Sequence, residues 1–233
     1  MPIMTGCNNF CSYCVVPYVR GREKSRSVKD IIAQIKCLLK NGVKEIVLLG
    51  QNVNSYKDKN IRFAQLLKKI NGLPGDFRLT FLTSHPKDIS DKLIKTMANC
   101  KKLAKELHLP VQSGDNAILK KMNRGYSVNH YLNLLKKIRE ALPDIKISTD
   151  IIVGFPGETK KQFQNTIKLA KAAKFNKAFI AKYSPRPGTA AARLKDDVAP
   201  EEKKTPLENF RHFNKPPHLI HIAPKAQEPL KII

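Results

Sequence analysis

The sequence predicts an α/β fold built from six successive strand–helix units. Short apolar runs alternate with amphipathic stretches along the first 200 residues, and most of these runs are continuous rather than alternating. Continuous apolar strands are typical of a parallel sheet covered on both faces. No dinucleotide-binding fingerprint is visible, so we expect an open or partial barrel rather than a doubly wound nucleotide-binding sheet.

Each unit can be placed along the chain. The predicted strands are Pro2–Met4, Glu45–Leu49, Arg78–Leu82, Glu106–Pro110, Ile145–Val153 and Lys177–Tyr183. The clearest helix runs from Ser27 to about Asn41, where apolar residues recur at helical spacing, Ser27 caps the start and Gly42 ends it. Further helices are predicted at 62–71, 90–99, 115–122, 128–141 and 159–173. Polar segments follow the carboxyl ends of the strands, where such folds place their ligand sites.

The composition points to an anionic partner. The chain has 233 residues and a formal net charge of +24, with 43 Lys and Arg against 19 Asp and Glu. Nucleic acid is the first partner that such a charge indicates. An AT-rich genome that favours lysine codons explains the same charge, and the two explanations stand side by side. Collagen-like, coiled-coil and fully disordered classes are excluded by the composition.

The chain carries neither a membrane signal nor a secretion signal that we can recognise. No run approaches the roughly 20 apolar residues of a membrane span, and the first residues lack a basic segment followed by an apolar one. We therefore expect a cytoplasmic protein without a membrane partner. In a reducing compartment the five cysteines are expected to serve metal binding, catalysis or burial rather than disulfides.

Three of the cysteines form a compact motif directly after the first predicted strand. Cys7, Cys11 and Cys14 have the spacing C-x3-C-x2-C within GCNNFCSYC. Three thiolates so close together suit an iron–sulfur cluster with one iron left open to a small molecule. A structural zinc site or three incidental cysteines are the alternatives, although no fourth ligand lies nearby in sequence. Cys37 and Cys100 are assigned no role.

The sequence resembles a known family at these residues. Radical S-adenosylmethionine (SAM) enzymes share this cysteine spacing, with an aromatic residue before the last cysteine, here Tyr13. Over about residues 2–204 the chain resembles the tRNA methylthiotransferases of the MiaB type. The motifs that carry this resemblance are GCNNFCSYCVVPYVRGREKSR at 6–26, LLGQNVNSY at 48–56, HLPVQSG at 108–114, MNRGY at 122–126, STDIIVGFPGET at 148–159 and YSPRPGT at 183–189.

The resemblance implies a fold, two cofactors and a reaction. The family fold is a partial (βα)6 barrel of the radical SAM type. Cys7, Cys11 and Cys14 would hold one 4Fe-4S cluster, whose open iron binds SAM and whose electron cleaves it to a 5′-deoxyadenosyl radical. That radical would activate C2 of an N6-isopentenyladenosine next to the anticodon of tRNA, where sulfur is inserted and then methylated by a second SAM. The cluster needs an electron donor.

Other residues are candidates for holding SAM. Tyr13 and the backbone at Val15 are expected to lie against its adenine, although Tyr13 also reads as an ordinary packed aromatic residue. Four polar residues at or just before strand ends are expected to bind the ribose and methionine parts: Gln51, Ser84, Gln112 and Asp150. Each of these four could instead satisfy backbone groups of its own loop.

A row of basic residues follows the cysteine motif. Arg20, Arg22, Lys24 and Arg26 alternate with other residues in a segment that we predict to be an extended loop. Such a ladder suits contacts with tRNA phosphates. A solvated basic loop without a partner is the plainer alternative.

The similarity does not cover the whole chain or the whole family architecture. We expect a radical SAM core domain at 1–204 and a Pro-rich, disordered or irregular tail without family resemblance at 205–233. Full-length relatives carry an amino-terminal domain with a second cluster, whose ligands are absent here, and a carboxy-terminal tRNA-binding barrel. We therefore expect this chain to cleave SAM without completing methylthiolation, unless a separate polypeptide supplies the missing domains.

Two other functions remain open at this stage. One is a non-catalytic, basic RNA-binding module in which the cysteines hold a structural metal. The other is a radical SAM methylthiotransferase that modifies a protein side chain. Formation of 5′-deoxyadenosine from SAM would show an enzyme and exclude the non-catalytic module. Analysis of the modified nucleosides in cells with and without the gene would distinguish a tRNA substrate from a protein substrate.

Overall fold

The computed structural model describes residues 1–198, which include six parallel strand segments, the first five of them followed by α-helices. The tail predicted at 205–233 lies outside the described residues. The strands are β1 (Met4–Thr5), β2 (Lys24–Ser25), β3 (Glu45–Leu48), β4 (Lys57–Asp58), β5 (Ile61–Arg62), β6 (Arg78–Phe81), β7 (Glu106–His108), β8 (Lys146–Val153) and β9 (Lys177–Lys182). The helices are α1 (Val16–Arg20), α2 (Val28–Lys40), α3 (Phe63–Asn71), α4 (Asp91–Asn99), α5 (Asn116–Lys121), α6 (Val128–Ala141) and α7 (Lys160–Ala173).

The parallel strands follow one another in chain order around the sheet. The first segment pairs with the end of β3, where the Ile3 N–H donates to the Leu49 carbonyl at 2.9 Å. β3 pairs with β6, and Leu79 of β6 bridges to Leu103, just before β7. β7, β8 and β9 then pair in parallel. Sequential parallel strands joined by helices form the predicted partial barrel. Within the described residues β9 pairs only with β8 and not with the first strand, so the barrel is not closed.

The six predicted helices form as α2 to α7, because each combines an apolar stripe with polar groups at its start. In α2, the Ser27 hydroxyl accepts the Asp30 N–H at 3.1 Å, and Ile31 and Ile35 are fully buried against the sheet. Burial of each such side chain stabilises the fold by roughly 1.5–3 kcal/mol. Cys37 of α2 is exposed, as expected from its polar face. In residues 1–198 no helix is long and apolar enough to cross a membrane.

The region after the cysteine motif differs from the prediction. The chain does not continue as one extended basic loop, because a short helix, α1, begins after Val15 with Pro17 in its first turn. Pro17 favours a helix start there, since its fixed φ and missing N–H cost nothing in the first turn. The chain then returns as β2, which pairs antiparallel with β1. The predicted first strand Pro2–Met4 is therefore shared between two partners, β3 on one side and β2 on the other.

Candidate iron–sulfur centre

The three cysteines lie in the cysteine loop, defined here as residues 6–14, which follows β1. The Cys7 N–H donates to the Gly21 carbonyl at 3.2 Å, and the Cys14 N–H closes a turn onto the Cys11 carbonyl at 2.9 Å. Gly6 has φ +77°, and a Cβ added there would stand 2.1 Å from the Arg22 carbonyl oxygen. The loop is therefore folded tightly against the segment that follows α1, at a position that only glycine allows.

The thiols of this loop are close enough to influence one another. Burial raises the pKa of the Cys7 thiol, the Asn9 backbone N–H lowers it, and the charges of Cys11 and Cys14 raise it again. Burial likewise raises the pKa of Cys14, against the lowering effect of the Val16 N–H. Ionising Cys7 or Cys14 without a cation nearby is thus unfavourable. A metal centre that binds them as thiolates removes this cost and releases their protons.

The number and type of ligands favour a cluster over a single zinc ion. Within residues 1–198, no three Cys, His, Asp or Glu side chains converge closely enough to hold one metal ion. A structural zinc site takes four protein ligands, whereas the cysteine loop supplies three thiols. A 4Fe-4S cluster with one open iron takes three thiolates, each on a different iron. The donor set of Cys7, Cys11 and Cys14 fits such a cluster.

A second loop holds the cysteine loop in place. This clamp loop, residues 121–126, follows α5. The Ser12 N–H donates to the Met122 carbonyl at 3.0 Å, and the Ser12 hydroxyl donates to the Lys121 carbonyl at 2.8 Å. The Asn123 side-chain amide donates to the Phe10 carbonyl at 3.0 Å. More than a hundred residues separate the two loops in sequence, so this attachment is purely tertiary.

Arg124 of the clamp loop reaches the cysteines themselves. Its side chain is buried, and Nη1 lies 3.3 Å from both the Cys11 Sγ and the Tyr13 hydroxyl. Nε donates to the Tyr126 hydroxyl at 3.0 Å, and Nη2 donates to the Pro110 carbonyl at 2.8 Å. Arg124 belongs to the motif MNRGY, but no local feature of the sequence indicates that its side chain is buried against a cysteine.

Three of the four predicted polar SAM residues carry a buried oxygen without a hydrogen-bond partner among the described residues. These atoms are Gln51 Oε1, Ser84 Oγ and Gln112 Oε1. They follow β3, β6 and β7, at the edge of the sheet where the cysteine loop also lies. An unsatisfied buried polar atom costs about 1–3 kcal/mol, so a hydrogen-bonding ligand at these positions would stabilise the structure.

The remaining predicted SAM residues already have protein partners. The Tyr13 hydroxyl accepts a hydrogen bond from Arg124. Burial raises the pKa of Tyr13 well above its usual value, although the charge of Arg124 lowers it. The Val15 carbonyl accepts the Tyr18 and Val19 N–H groups of α1 at 3.0 and 3.2 Å. The Asp150 carboxylate lies 3.2 Å from His108 Nε2 and is partly exposed.

The loops after β3 and β6 hold two further polar groups that sequence reasoning missed. We call residues 49–55 and 82–86 the strand-end loops; the Val53 N–H joins them by donating to the Thr83 carbonyl at 3.0 Å. Both polar atoms of the Asn54 amide are buried without a partner in the described structure, and so is His85 Nε2. Burial, followed by the charges of Arg124 and Lys87, lowers the pKa of His85 to about 2. His85 is therefore neutral, and since Nδ1 accepts the Lys87 N–H at 3.3 Å, its proton lies on Nε2.

A buried carboxyl group follows β8. Burial raises the pKa of Glu158 to about 7, although the backbone N–H groups of Gly154 and Phe155 lower it, and Asp115 adds repulsion. The Gly154 N–H donates to Oε2 at 2.6 Å, whereas Oε1 is buried and unpartnered within residues 1–198. Glu158 lies in the motif STDIIVGFPGET at 148–159 but is not among the predicted site residues, so this carboxyl group is an addition to the predicted site.

The structure separates the four basic residues that the sequence grouped in one ladder. Arg20 ends α1, Lys24 lies in β2, and the Arg22 guanidinium stands 4.5 Å from the centre of the Phe10 ring. These three residues are exposed. Arg26 is half-buried, and its Nη1 donates to the Pro2 carbonyl and to Gln34, both at 2.8 Å. The predicted extended loop therefore holds only in part, because Arg20 belongs to α1 and Lys24 to β2.

Comparison with known proteins agrees with this geometry. The tRNA-2-methylthio-N(6)-dimethylallyladenosine synthase of Clostridium botulinum strain Hall is 55% identical over 205 residues, which are 87% of this chain and 45% of that protein. The protein of the same name from Thermoanaerobacter sp. strain X514 is 55% identical over 211 residues, 89% of this chain and 45% of its own length. The chain thus spans about half the length of the curated relatives it matches.

The fold of this chain is similar to that of a solved radical SAM enzyme. The radical SAM methyltransferase TsrM from Kitasatospora setae, solved with cobalamin and a 4Fe-4S cluster bound, matches with a TM-score of 0.69 at 17% identity, over 82% of this chain and 38% of TsrM. At that identity the match concerns the fold alone. The Radical SAM superfamily itself matches residues 1–170, from the first strand through the cysteine loop and into α7. Because that match spans most of the barrel together with the loop that carries the cysteines, the chain belongs to the Radical SAM superfamily.

Proposed function

We propose that this chain is the catalytic core of a tRNA methylthiotransferase, which adds a methylthio group to C2 of N6-isopentenyladenosine next to the anticodon. The observation that carries the proposal is the cysteine loop: three half-buried or buried thiols are clamped at the carboxyl edge of a partial barrel. The choice of this reaction within the superfamily rests on the 55% identity to relatives named as synthases of the methylthiolated nucleoside.

The cluster would be held by Cys7, Cys11 and Cys14. Backbone N–H groups of Asn9 and Val16 point at the sulfurs of Cys7 and Cys14, where they favour the thiolate forms that iron requires. When bound, the cluster and SAM would supply the one-electron cleavage chemistry that starts the reaction. The contribution of the protein is to fix the loop and to shield the reaction from water.

SAM would lie across the carboxyl edge of the sheet. Gln51, Ser84 and Gln112 offer buried oxygens that lack partners in the described part of the chain, and Asp150 offers a partly exposed carboxylate. Carboxylate and amide oxygens suit the ribose hydroxyls and the ammonium group of SAM as hydrogen-bond acceptors. Tyr13 and the chain at Val15 would border the adenine, next to the cluster.

tRNA would approach from the side of α1 and β2. Arg20, Arg22 and Lys24 are exposed beside the cysteine loop and suit phosphate contacts, whereas Arg26 is bonded to the protein and contributes less. The high net charge of the chain supports the same partner. Because the chain spans about half the length of its relatives, the complete methylthiolation is proposed for the whole protein, with residues 1–204 as its SAM-cleaving core.

Anaerobic reconstitution tests the proposal. After incubation with iron and sulfide, we expect about four irons per chain, and after addition of dithionite and SAM we expect 5′-deoxyadenosine. Cys11→Ala should lose both iron and product, whereas Cys37→Ala, an exposed cysteine of α2, should retain both. A wild-type chain that binds a cluster yet yields no 5′-deoxyadenosine would instead favour a non-catalytic RNA-binding module. About eight irons per chain would contradict the single cluster.

A further inference from the structure

We propose that Arg124 is the counter-ion of the iron–sulfur cluster and favours its reduced form through the contact with the Cys11 sulfur. The inference rests on the proposed function, since it requires the cluster to be held by the cysteine loop. It concerns a residue outside the cysteine motif, joined to it only by the fold.

The charge of Arg124 has no opposite partner in the described structure. The side chain is 4% exposed, and its contacts are a sulfur, two phenol hydroxyls and a carbonyl, none of them a carboxylate. The two hydroxyls belong to Tyr13 and Tyr126, and phenols carry no charge near neutral pH. A buried charge without an opposite charge beside it is unfavourable, so this environment favours an anionic group next to Arg124.

The donor geometry shows where that group must lie. A guanidinium has five N–H donors, and the contacts of Arg124 use four: two from Nη1, one from Nε and one from Nη2. The single remaining N–H cannot form the two parallel bonds with which arginine grips a carboxylate. The carboxylate of SAM is therefore a poor match. The contact that points toward an anion is the one from Nη1 to the Cys11 sulfur.

The position of the guanidinium is also fixed from behind. Tyr126 lies under it, with 5.3 Å between the guanidinium carbon and the ring centre, and the Tyr126 hydroxyl donates to the Val111 carbonyl at 2.9 Å. The Arg124 backbone N–H donates to the Leu119 carbonyl at 3.0 Å. A charge held this rigidly acts on its neighbour without first having to reorganise.

Charge balance gives the direction of the effect. An oxidised 4Fe-4S core has two positive charges and its three thiolates bring three negative ones, so the centre is an anion that gains a further negative charge when one electron enters. In the test that electron comes from dithionite, and no proton needs to move. The fixed positive charge of Arg124 attracts the reduced centre more than the oxidised one, and its N–H···S bond acts in the same direction.

The experiment compares three variants of the reconstituted chain in a redox titration followed by electron paramagnetic resonance. At the potential where half of the wild-type cluster is reduced, Arg124→Gln should lower the ratio of reduced to oxidised cluster by about tenfold. Arg124→Lys, which keeps the charge, should recover most of this loss. Arg139→Gln is the matched control, because Arg139 is a half-buried arginine of α6 that donates to the Ala173 and Lys174 carbonyls far from the cysteines. It should titrate like the wild type.

Iron content and SAM binding complete the comparison. If Arg124→Gln assembles no cluster while Arg124→Lys does, the positive charge is required and the inference holds. Equal loss of cluster in both Arg124 variants would overturn the inference and make Arg124 a structural anchor. An unchanged redox titration with weaker SAM binding would also overturn it and make Arg124 a SAM ligand. Absence of a cluster from the wild-type chain would instead overturn the proposed function itself.

Discussion

The cysteine loop and the strand-end loops lie at the same edge of the sheet, but their polar groups are satisfied to different degrees. The cysteine loop is fixed by hydrogen bonds with the clamp loop, whose buried Arg124 contacts Cys11 and has no carboxylate partner among the described residues. The strand-end loops instead hold buried amide, hydroxyl and imidazole atoms that lack partners in residues 1–198. One region presents a positive charge, and the other presents uncharged polar atoms that can form hydrogen bonds.

This difference separates the two parts of the site by what holds them. The bonds between the clamp loop and the cysteine loop all join protein groups. Gln51, Ser84 and Gln112 each carry a buried oxygen without a protein partner in residues 1–198, and a hydrogen bond from a ligand would remove the cost of leaving it unpaired. Changes in the cysteine loop should therefore affect assembly, whereas changes in the strand-end loops should affect affinity.

The largest expected effect is that of Gly6→Ala. A methyl group there would meet the Arg22 carbonyl oxygen at 2.1 Å, so the cysteine loop must move away from the segment after α1. We expect less than about a tenth of the wild-type iron after reconstitution, with a destabilisation of several kcal/mol. Gly21→Ala is the matched control, because Gly21 also has positive φ, at +70°, but an added Cβ would meet nothing within 4 Å. Equal iron loss in both variants would contradict the clash.

The next largest effect concerns Glu158 and pH. Its pKa is about 7 in the folded chain because of burial, against an ordinary value of 4.5. The folded state thus holds the proton more tightly, and stability is fully present below about pH 4.5 and lost as pH rises through about 7. Glu158→Gln cannot ionise, so relative to the wild type it should gain up to roughly 3 kcal/mol between pH 4.5 and pH 8.

Urea unfolding of the two chains at several pH values measures this difference. Glu140→Gln is a suitable control, because Glu140 is an exposed carboxylate of α6 that faces Lys136. We expect it to show no comparable change. If the free energies of unfolding of Glu158→Gln and the wild type differed by the same amount at every pH, the carboxyl group of Glu158 would be solvated or paired in the folded chain.

Ser84→Ala should separate affinity from stability. Removal of a buried hydroxyl without a partner should stabilise the ligand-free chain by about 1 kcal/mol, while loss of a SAM contact should weaken SAM binding about tenfold. Ser90→Ala provides the opposite case, because the Ser90 hydroxyl caps α4 by accepting the Leu93 N–H at 3.1 Å. It should cost about 1 kcal/mol without changing SAM binding. Equilibrium dialysis on the cluster-loaded chains would reject the SAM contact if Ser84→Ala bound normally.

Local patterns predicted the framework because its causes are local. The stripe and cap of α2, the apolar runs of β3 and β8, and the cysteine spacing can each be read within a short window of sequence. The position of each loop at the carboxyl edge then follows from the parallel order of the strands. Fold and cysteine loop were therefore within reach of the sequence.

The partners within the site were not predictable in the same way. Arg124 contacts Cys11 across 113 positions of sequence, and its burial depends on how the clamp loop packs. Gln51 and Asn54 belonged to a recognised motif, but whether an amide atom finds a partner is decided by neighbouring loops. The short helix α1 was missed because its five residues are too few to show a helical period.

The smallest expected effect concerns the basic residues, which the fold divides into exposed and anchored ones. Replacing both Arg20 and Arg22 with Ala should reduce the slope of log affinity for tRNA against log salt by about 0.7 for each lost phosphate contact. Arg26→Ala should change the slope less, because its Nη1 is already bonded to the Pro2 carbonyl and Gln34. A double change of Lys92 and Lys95 to Ala, on the exposed face of α4, removes the same charge and should leave the slope nearly unchanged. The slopes are measured in a filter-binding titration. Equal slopes for the two double variants would mean that Arg20 and Arg22 act only through net charge. That result would contradict a tRNA path beside the cysteine loop.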